Sequence, residues 1–180
     1  MGGGVPPLFL SHEGGAERHF VLESGDGGSV RLDGTELLGL DVWERAQAGV
    51  FLAMQYPVEV PGVSLGEVLT AAANAGGRDS GSVAELVAAE ADRVGLDRSF
   101  LLRSLNVDFS GGEKKRNETV QLGVLRPRFA ILDEIDSGLD VDALGQVARR
   151  VEDATTEWSL GVIAVTHYNR LLEQLHADVV

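Results

Sequence analysis

Apolar residues recur along this chain in two rhythms. Short alternating or unbroken apolar runs predict strands, and apolar residues three and four apart predict helices. Ser29–Gly34 (SVRLDG) alternates and ends in Asp-Gly, the pattern of an edge strand and turn. Asp41 is placed to cap a short helix over VWERAQA, and Gly49–Gln55 (GVFLAMQ) predicts a buried strand. Tyr56–Gly62 carries Pro57 and Pro61 and predicts a loop. Ser64 with Glu67, Ser82 with Glu85 and Ser110 with Glu113 each form an S-x-x-E capping box. These boxes predict helices running to about Asn74, to about Val94 and to just before Pro127, with Gly76–Gly81 linking the first two. Phe129–Asp133 (FAILD) and Leu160–Thr166 (LGVIAVT) predict short buried strands. Between them Asp140 opens a helix to about Ala154; a short helix over Tyr168–His176 follows, and Val179-Val180 has the character of a strand beginning.

Strands alternating with helices predict an α/β fold, a parallel sheet core covered by helices. Residues 1–28 are Gly-rich and are expected to be poorly ordered, with at most a short strand at Arg18–Leu22. Residues 29–180 then form the domain, and about 64–103 form a purely helical part of it. The length of 180 residues suits one domain.

Composition narrows the function. The net charge of −13 repels phosphate backbones, so no nucleic-acid partner is expected. There is no cysteine, which removes disulfides and thiolate-ligated zinc or iron–sulfur sites from these residues. The four histidines (His12, His19, His167 and His176) lack metal-ligand spacing such as HExxH. No apolar run reaches the roughly 20 residues that span a bilayer, and the start of the chain is a poor signal peptide. A cytoplasmic protein without a membrane span is the expectation.

Four places carry candidate chemistry. FAILDE (Phe129–Glu134) puts Asp133 and Glu134 at the carboxyl edge of a strand, where α/β sheets bind ligands. Asp133 suits Mg²⁺, and Glu134 suits polarisation of an attacking water; a strand meeting an acidic loop is the alternative. SGGEKKR (Ser110–Arg116) puts two glycines in the first turn of a helix, at about 1 kcal/mol each against Ala. That cost makes sense where something must approach the backbone, and a helix N-terminus with a capping Ser suits phosphate. Lys114, Lys115 and Arg116 read as a solvated charge run or as a surface for an acidic partner. His167 follows an apolar strand and suits a γ-phosphate contact, and Gln55 ends another strand; each alone has a structural alternative.

The order Gln, SGG, DE, SGLD and His resembles the nucleotide-binding domain of ABC ATPases. By that resemblance Gln55 is the Q-loop glutamine and Phe109–Glu113 the signature motif, with Phe for the usual Leu and Glu for the usual Gln. Phe129–Glu134 corresponds to Walker B with its catalytic glutamate, Ser137–Asp140 to the D-loop and His167 to the H-switch. Within the superfamily, MQYPVEVPGVS, NVDFSGGEKKRNE, ILDEIDSGLDVDAL and VTHYNRLL are similar to the SufC-type ATPases of SUF iron–sulfur cluster assembly. Transporter ATPases usually read SGGQ and DEPTSALD at these places.

The resemblance implies an incomplete ABC-type domain whose helical subdomain covers about 64–103, and an ATP hydrolase using ATP and Mg²⁺. Glu134 and His167 would be catalytic. Gln55, Ser110, Gly111, Gly112, Glu113 and Asp140 would contact nucleotide, and Asp133 with Gln55 would hold Mg²⁺. It implies head-to-tail pairing, with itself or with a full-length copy, and a SufB–SufD-type scaffold as partner. The sequence departs from the family most at its start: it has no GxxxxGK[ST], its only lysines are Lys114 and Lys115, and the family's adenine-stacking strand is missing, while at the other end the family continues past Val180. A non-hydrolysing binding module, a truncated fragment and a transporter ATP-binding subunit therefore stand as alternatives, and this chain's own half-site is expected to bind nucleotide weakly.

Overall fold

The computed structural model describes residues 20–23, 28–75, 80–167, 171 and 173–176. Most of the Gly-rich segment 1–28, most of the 76–81 linker, part of the expected 168–176 helix and the Val179-Val180 strand start lie outside the described residues.

The centre is a three-stranded parallel sheet in the order β4 (Val50–Ala53), β7 (Phe129–Asp133), β8 (Gly161–Val165). Its register aligns Ala53 with Leu132 and Asp133 with Val165. All three strands point their carboxyl ends the same way, so the residues that follow them collect along one edge. α5 (Val141–Trp158) packs one face through Leu144, Val147, Ala148, Val151 and Ala154, an i, i+3, i+4 stripe against Ala130 and Leu132. The other face meets a small antiparallel sheet, β1 (Phe20–Glu23), β2 (Ser29–Leu32) and β3 (Thr35–Glu36), through Leu32, Leu37 and Phe129. The short helix α1 (Val42–Gln47) precedes β4, and the Glu44 carboxylate accepts the Asp41 N–H at 2.8 Å.

The helical part holds α2 (Leu65–Ala75), α3 (Ser80–Arg93) and a 3₁₀ turn at Arg98–Leu102. Its core of Leu65, Leu69, Val83, Val87 and Ala91 is closed by Val120 and Val124 of α4 (Gly111–Leu125). Leu122 of the same helix belongs to the core under the sheet. α4 is therefore shared by the helical part and the sheet.

The structure corrects several expectations. The Gly49–Gln55 strand is not buried: β4 is an edge among the described residues, and Leu52 is 53% exposed. β8 is half-buried along most of its length for the same reason. The expected Tyr56–Gly62 loop becomes a strand at its end, where β5 (Val60–Ser64) pairs antiparallel with β6 (Ser104–Leu105). α3 starts at Ser80, so Ser82 lies inside the helix, and α5 runs to Trp158 rather than Ala154. No described helix is long and apolar enough to cross a membrane.

Candidate functional site

β4, β7 and β8 deliver Gln55, Glu134 and His167 to one edge. Gln55 Nε2 donates to Glu134 Oε2 at 2.7 Å. His167 Nε2 lies 3.0 Å from Glu134 Oε1, with the imidazole 75% exposed and the carboxylate 16%. Both oxygens of Glu134 are thus engaged. Glu134 stands at φ +47, in the left-handed region that non-glycine residues rarely occupy, so the chain turns sharply as β7 ends. Its N–H donates to the Val165 carbonyl at 2.8 Å, which fixes the turn to the end of β8. Asp133 ends β7 beside it, in register with Val165.

Ser110 caps α4 as the sequence suggests: its Oγ accepts the Glu113 N–H at 3.3 Å, and Glu113 Oε2 accepts the Ser110 N–H at 2.7 Å. Glu113, expected at nucleotide, is held by this cap, and its carboxyl is lowered in pKa chiefly by its hydrogen bonds with Ser110. Asp140 likewise caps α5, accepting the Ala143 N–H at 2.7 Å. The two signature glycines divide. A methyl group on Gly112 would lie 3.2 Å from the Gly138 carbonyl oxygen, a tight contact that the Ser137–Leu139 turn would have to ease by a few tenths of an ångström. A methyl group on Gly111 would meet nothing within 4 Å. Packing within the chain does not require Gly111, and its face stands open. Ser110–Gly112 make no hydrogen bond to Gln55, Glu134 or His167 among the described residues, so the structure gathers the site residues into two groups.

The Lys114–Arg116 run is neither a solvated face nor a free basic patch. Lys114 Nζ donates to Glu59 at 2.7 Å and Arg116 Nη1 to the Gly95 carbonyl at 3.0 Å. Lys115 is 2% exposed. Its Nζ donates to the Met54 carbonyl at 2.5 Å and the Asp133 carbonyl at 3.5 Å, and pairs with Glu118 at 3.6 Å. Burial lowers the Lys115 pKa, with Glu118 opposing. Glu118, also buried, accepts the Met54 N–H at 2.9 Å. Burial pushes its pKa from 4.5 to about 7, against the Met54 N–H and Lys115, which lower it. Sequence reasoning passed over Glu118; the signal was a second charge one turn after Lys115 on a helix lying between two apolar cores.

A second buried charge pair was also missed. Glu90 of α3 and Arg150 of α5 are each 1% exposed and meet through two hydrogen bonds of 2.5 and 3.1 Å. Both residues fall inside apolar stripes (Val83, Val87, Glu90, Val94 and Ala143, Val147, Arg150, Ala154), which is a legible sign of a paired interior charge. No group of three or more His, Asp or Glu able to hold a metal occurs among the described residues.

Comparison with known proteins places this geometry. No protein-family model matches the sequence. The chain is 46% identical over 158 residues to the "Probable ABC transporter ATP-binding protein" of Streptococcus pyogenes serotype M3, covering 85% of the chain and 61% of that relative. It is 43% identical over 168 residues to the "Probable ATP-dependent transporter" of Pyropia yezoensis, covering 89% and 65%. The solved structure of an ATP-binding subunit of an ABC transporter superposes with a TM-score of 0.67 at 25% identity, covering 82% of this chain and 59% of that one. The fold is a partial ABC-type nucleotide-binding domain, and by sequence the chain is a relative of the ABC transporter ATP-binding proteins. It spans about three fifths of the length of those relatives.

Proposed function

We propose that the chain forms part of an ATP-hydrolysing subunit of the SufC type, which supports iron–sulfur cluster assembly on a SufB–SufD-type scaffold. ATP would lie between two chains arranged head to tail, the second being another copy or a full-length one. The observation that carries the reading is the cluster of Gln55, Glu134 and His167 at the carboxyl ends of three adjacent parallel strands.

The donor set fits the implied ligands. Asp133 and the Gln55 amide oxygen are hard oxygen donors, and Mg²⁺ is commonly held by one or two such ligands beside phosphate oxygens and water. Bound Mg²⁺ would neutralise charge on the phosphate oxygens. Gly111 leaves an open face at the start of α4, and the N–H groups of Gly111 and Gly112 precede the first intrahelical bond, Lys114 N–H to Ser110 O at 3.0 Å. That end suits a phosphate presented by the other chain.

Glu134 acts as the general base that takes a proton from water. To do so it frees one oxygen from Gln55 or His167, so both neighbours gate it. His167, largely exposed, would be the residue to reach the terminal phosphate, and Gln55 would hold Mg²⁺ through its amide oxygen. The Glu113-Lys114-Lys115-Arg116 run and Asp136-Ser137-Gly138 favour the SufC type over a transporter subunit; the names of the relatives favour the transporter. Co-purification separates the two. Stoichiometric retention on SufB–SufD is the expected result, and no retention there with capture by a transporter's membrane subunit overturns it.

A further inference from the structure

Lys115 and Glu118 have no part in the roles above, yet both are buried ions on the helix that starts at the signature turn. Burying charge is costly unless each ion is paired and hydrogen-bonded, and apolar side chains of similar size would fill the same space without that cost. What these two ions contact explains their presence. Ala53 of β4 and Leu132 of β7 are the last pair in register between the two strands. Met54 and Asp133 come next, and Gln55 and Glu134 follow them. Glu118 accepts the Met54 N–H, and Lys115 donates to the Met54 carbonyl and to the Asp133 carbonyl. The two charges are thus spent on the main chain one residue before each member of the Gln55–Glu134 hydrogen bond.

We infer that Glu118 and Lys115 are positioning residues, a staple from α4 to the two strand ends that sets Gln55 at hydrogen-bonding distance from Glu134. The staple is built one to two turns from Ser110–Gly112 on one continuous helix, so a displacement of the signature end passes to both site residues. The inference rests on the hydrolytic reading and names what holds that site together.

The test reads the contacts directly, by ¹H–¹⁵N spectra and amide exchange of the full chain. In Glu118→Ala the Met54 amide is expected to exchange at least about tenfold faster, the equivalent of one lost hydrogen bond. The Gln55 side-chain amide resonances shift toward those of a free amide, and the β8 amides stay unchanged. Glu118→Gln keeps the acceptor and restores both signals, whereas Glu118→Met, which fills similar space without the acceptor and would restore them under a simple packing role, does not. Gln55 resonances that stay in place in Glu118→Ala, or a failure of Glu118→Gln to restore them, overturn the staple. If Glu118→Ala does not fold, the wild-type chain decides: a Met54 amide as protected as Leu132 supports the staple, and one that exchanges like an exposed loop overturns it. No nucleotide is needed for these signals. Absent ATP turnover with the expected spectra therefore removes the hydrolytic reading and leaves the staple standing.

Discussion

Glu118 gives the sharpest quantitative prediction. Its pKa is raised by burial from 4.5 to about 7 in the folded protein. Between those values the folded chain holds a proton that the unfolded chain has released. Its contribution to stability is therefore fully present at pH 4.5 and below, and is lost as pH rises to about 7. A shift of that size corresponds to about 3 kcal/mol at 1.36 kcal/mol per unit, and to about 10 °C in Tm for a chain of this length. Glu118→Gln is nearly isosteric, keeps the acceptor for Met54 N–H and cannot titrate. Urea unfolding of wild type and Glu118→Gln at half-unit steps from pH 4.5 to 8 isolates the Glu118–Lys115 pair, because titrating groups away from that pair cancel in the difference. The carboxyls with lowered pKa (Glu36, Glu67, Asp92, Asp97 and Glu113) act below this range, since their contributions are lost only as pH falls through their folded values. The variant should gain on wild type by about 3 kcal/mol across the range. A difference that stays constant within about 0.5 kcal/mol would refute the reasoning, and with it the burial of that carboxylate.

Other perturbations test the rest of the molecule. Gly111→Ala should hold or raise stability by up to about 1 kcal/mol, because its methyl meets open space, while impairing ATP-dependent function; Gly112→Ala, pressed against the Gly138 carbonyl, should be the less stable of the two in urea. A methyl on Gly123 would lie 2.1 Å from Glu90 Oε2, so Gly123→Ala should break the buried Glu90–Arg150 pair and cost roughly 3 kcal/mol or more in urea unfolding. Ser110→Ala removes the α4 cap and should cost about 1 kcal/mol, read as a lower Tm by circular dichroism.

What the sequence made legible was local. The Ser64–Glu67 and Ser110–Glu113 boxes form as their spacing predicts, because both partners lie within one helical turn. FAILD forms a buried central strand because its apolar run is unbroken. The unforeseen features depend on distant partners. β5 contains Pro61 and Gly62, pairs at Val60 and Ser64 only, and has a register shift between them, so no period-two pattern announces it. From Asn117 to Val124 α4 is buried on nearly all sides, it has no apolar stripe, and its Lys-Lys-Arg run imitates a surface. The exposure of Leu52 follows from which strands are present beside β4, which no local pattern encodes. Of the candidate site, the residue types at the strand ends were legible. Their hydrogen bonds to one another were not; the caps made by Glu113 and Asp140 were legible from spacing, although the resemblance set the same two residues at nucleotide.

The central claim is that Glu134, held by Gln55 and His167, is the base of an ATP-hydrolysing site. The most direct measurement is Mg²⁺-ATP turnover and ATP binding by the chain supplied with a GxxxxGK[ST] loop on its N-terminal side, with and without Glu134→Gln. The account predicts that turnover falls at least about a hundredfold while ATP binding is retained, the loss expected when a general base is removed. Turnover unchanged by Glu134→Gln would contradict it.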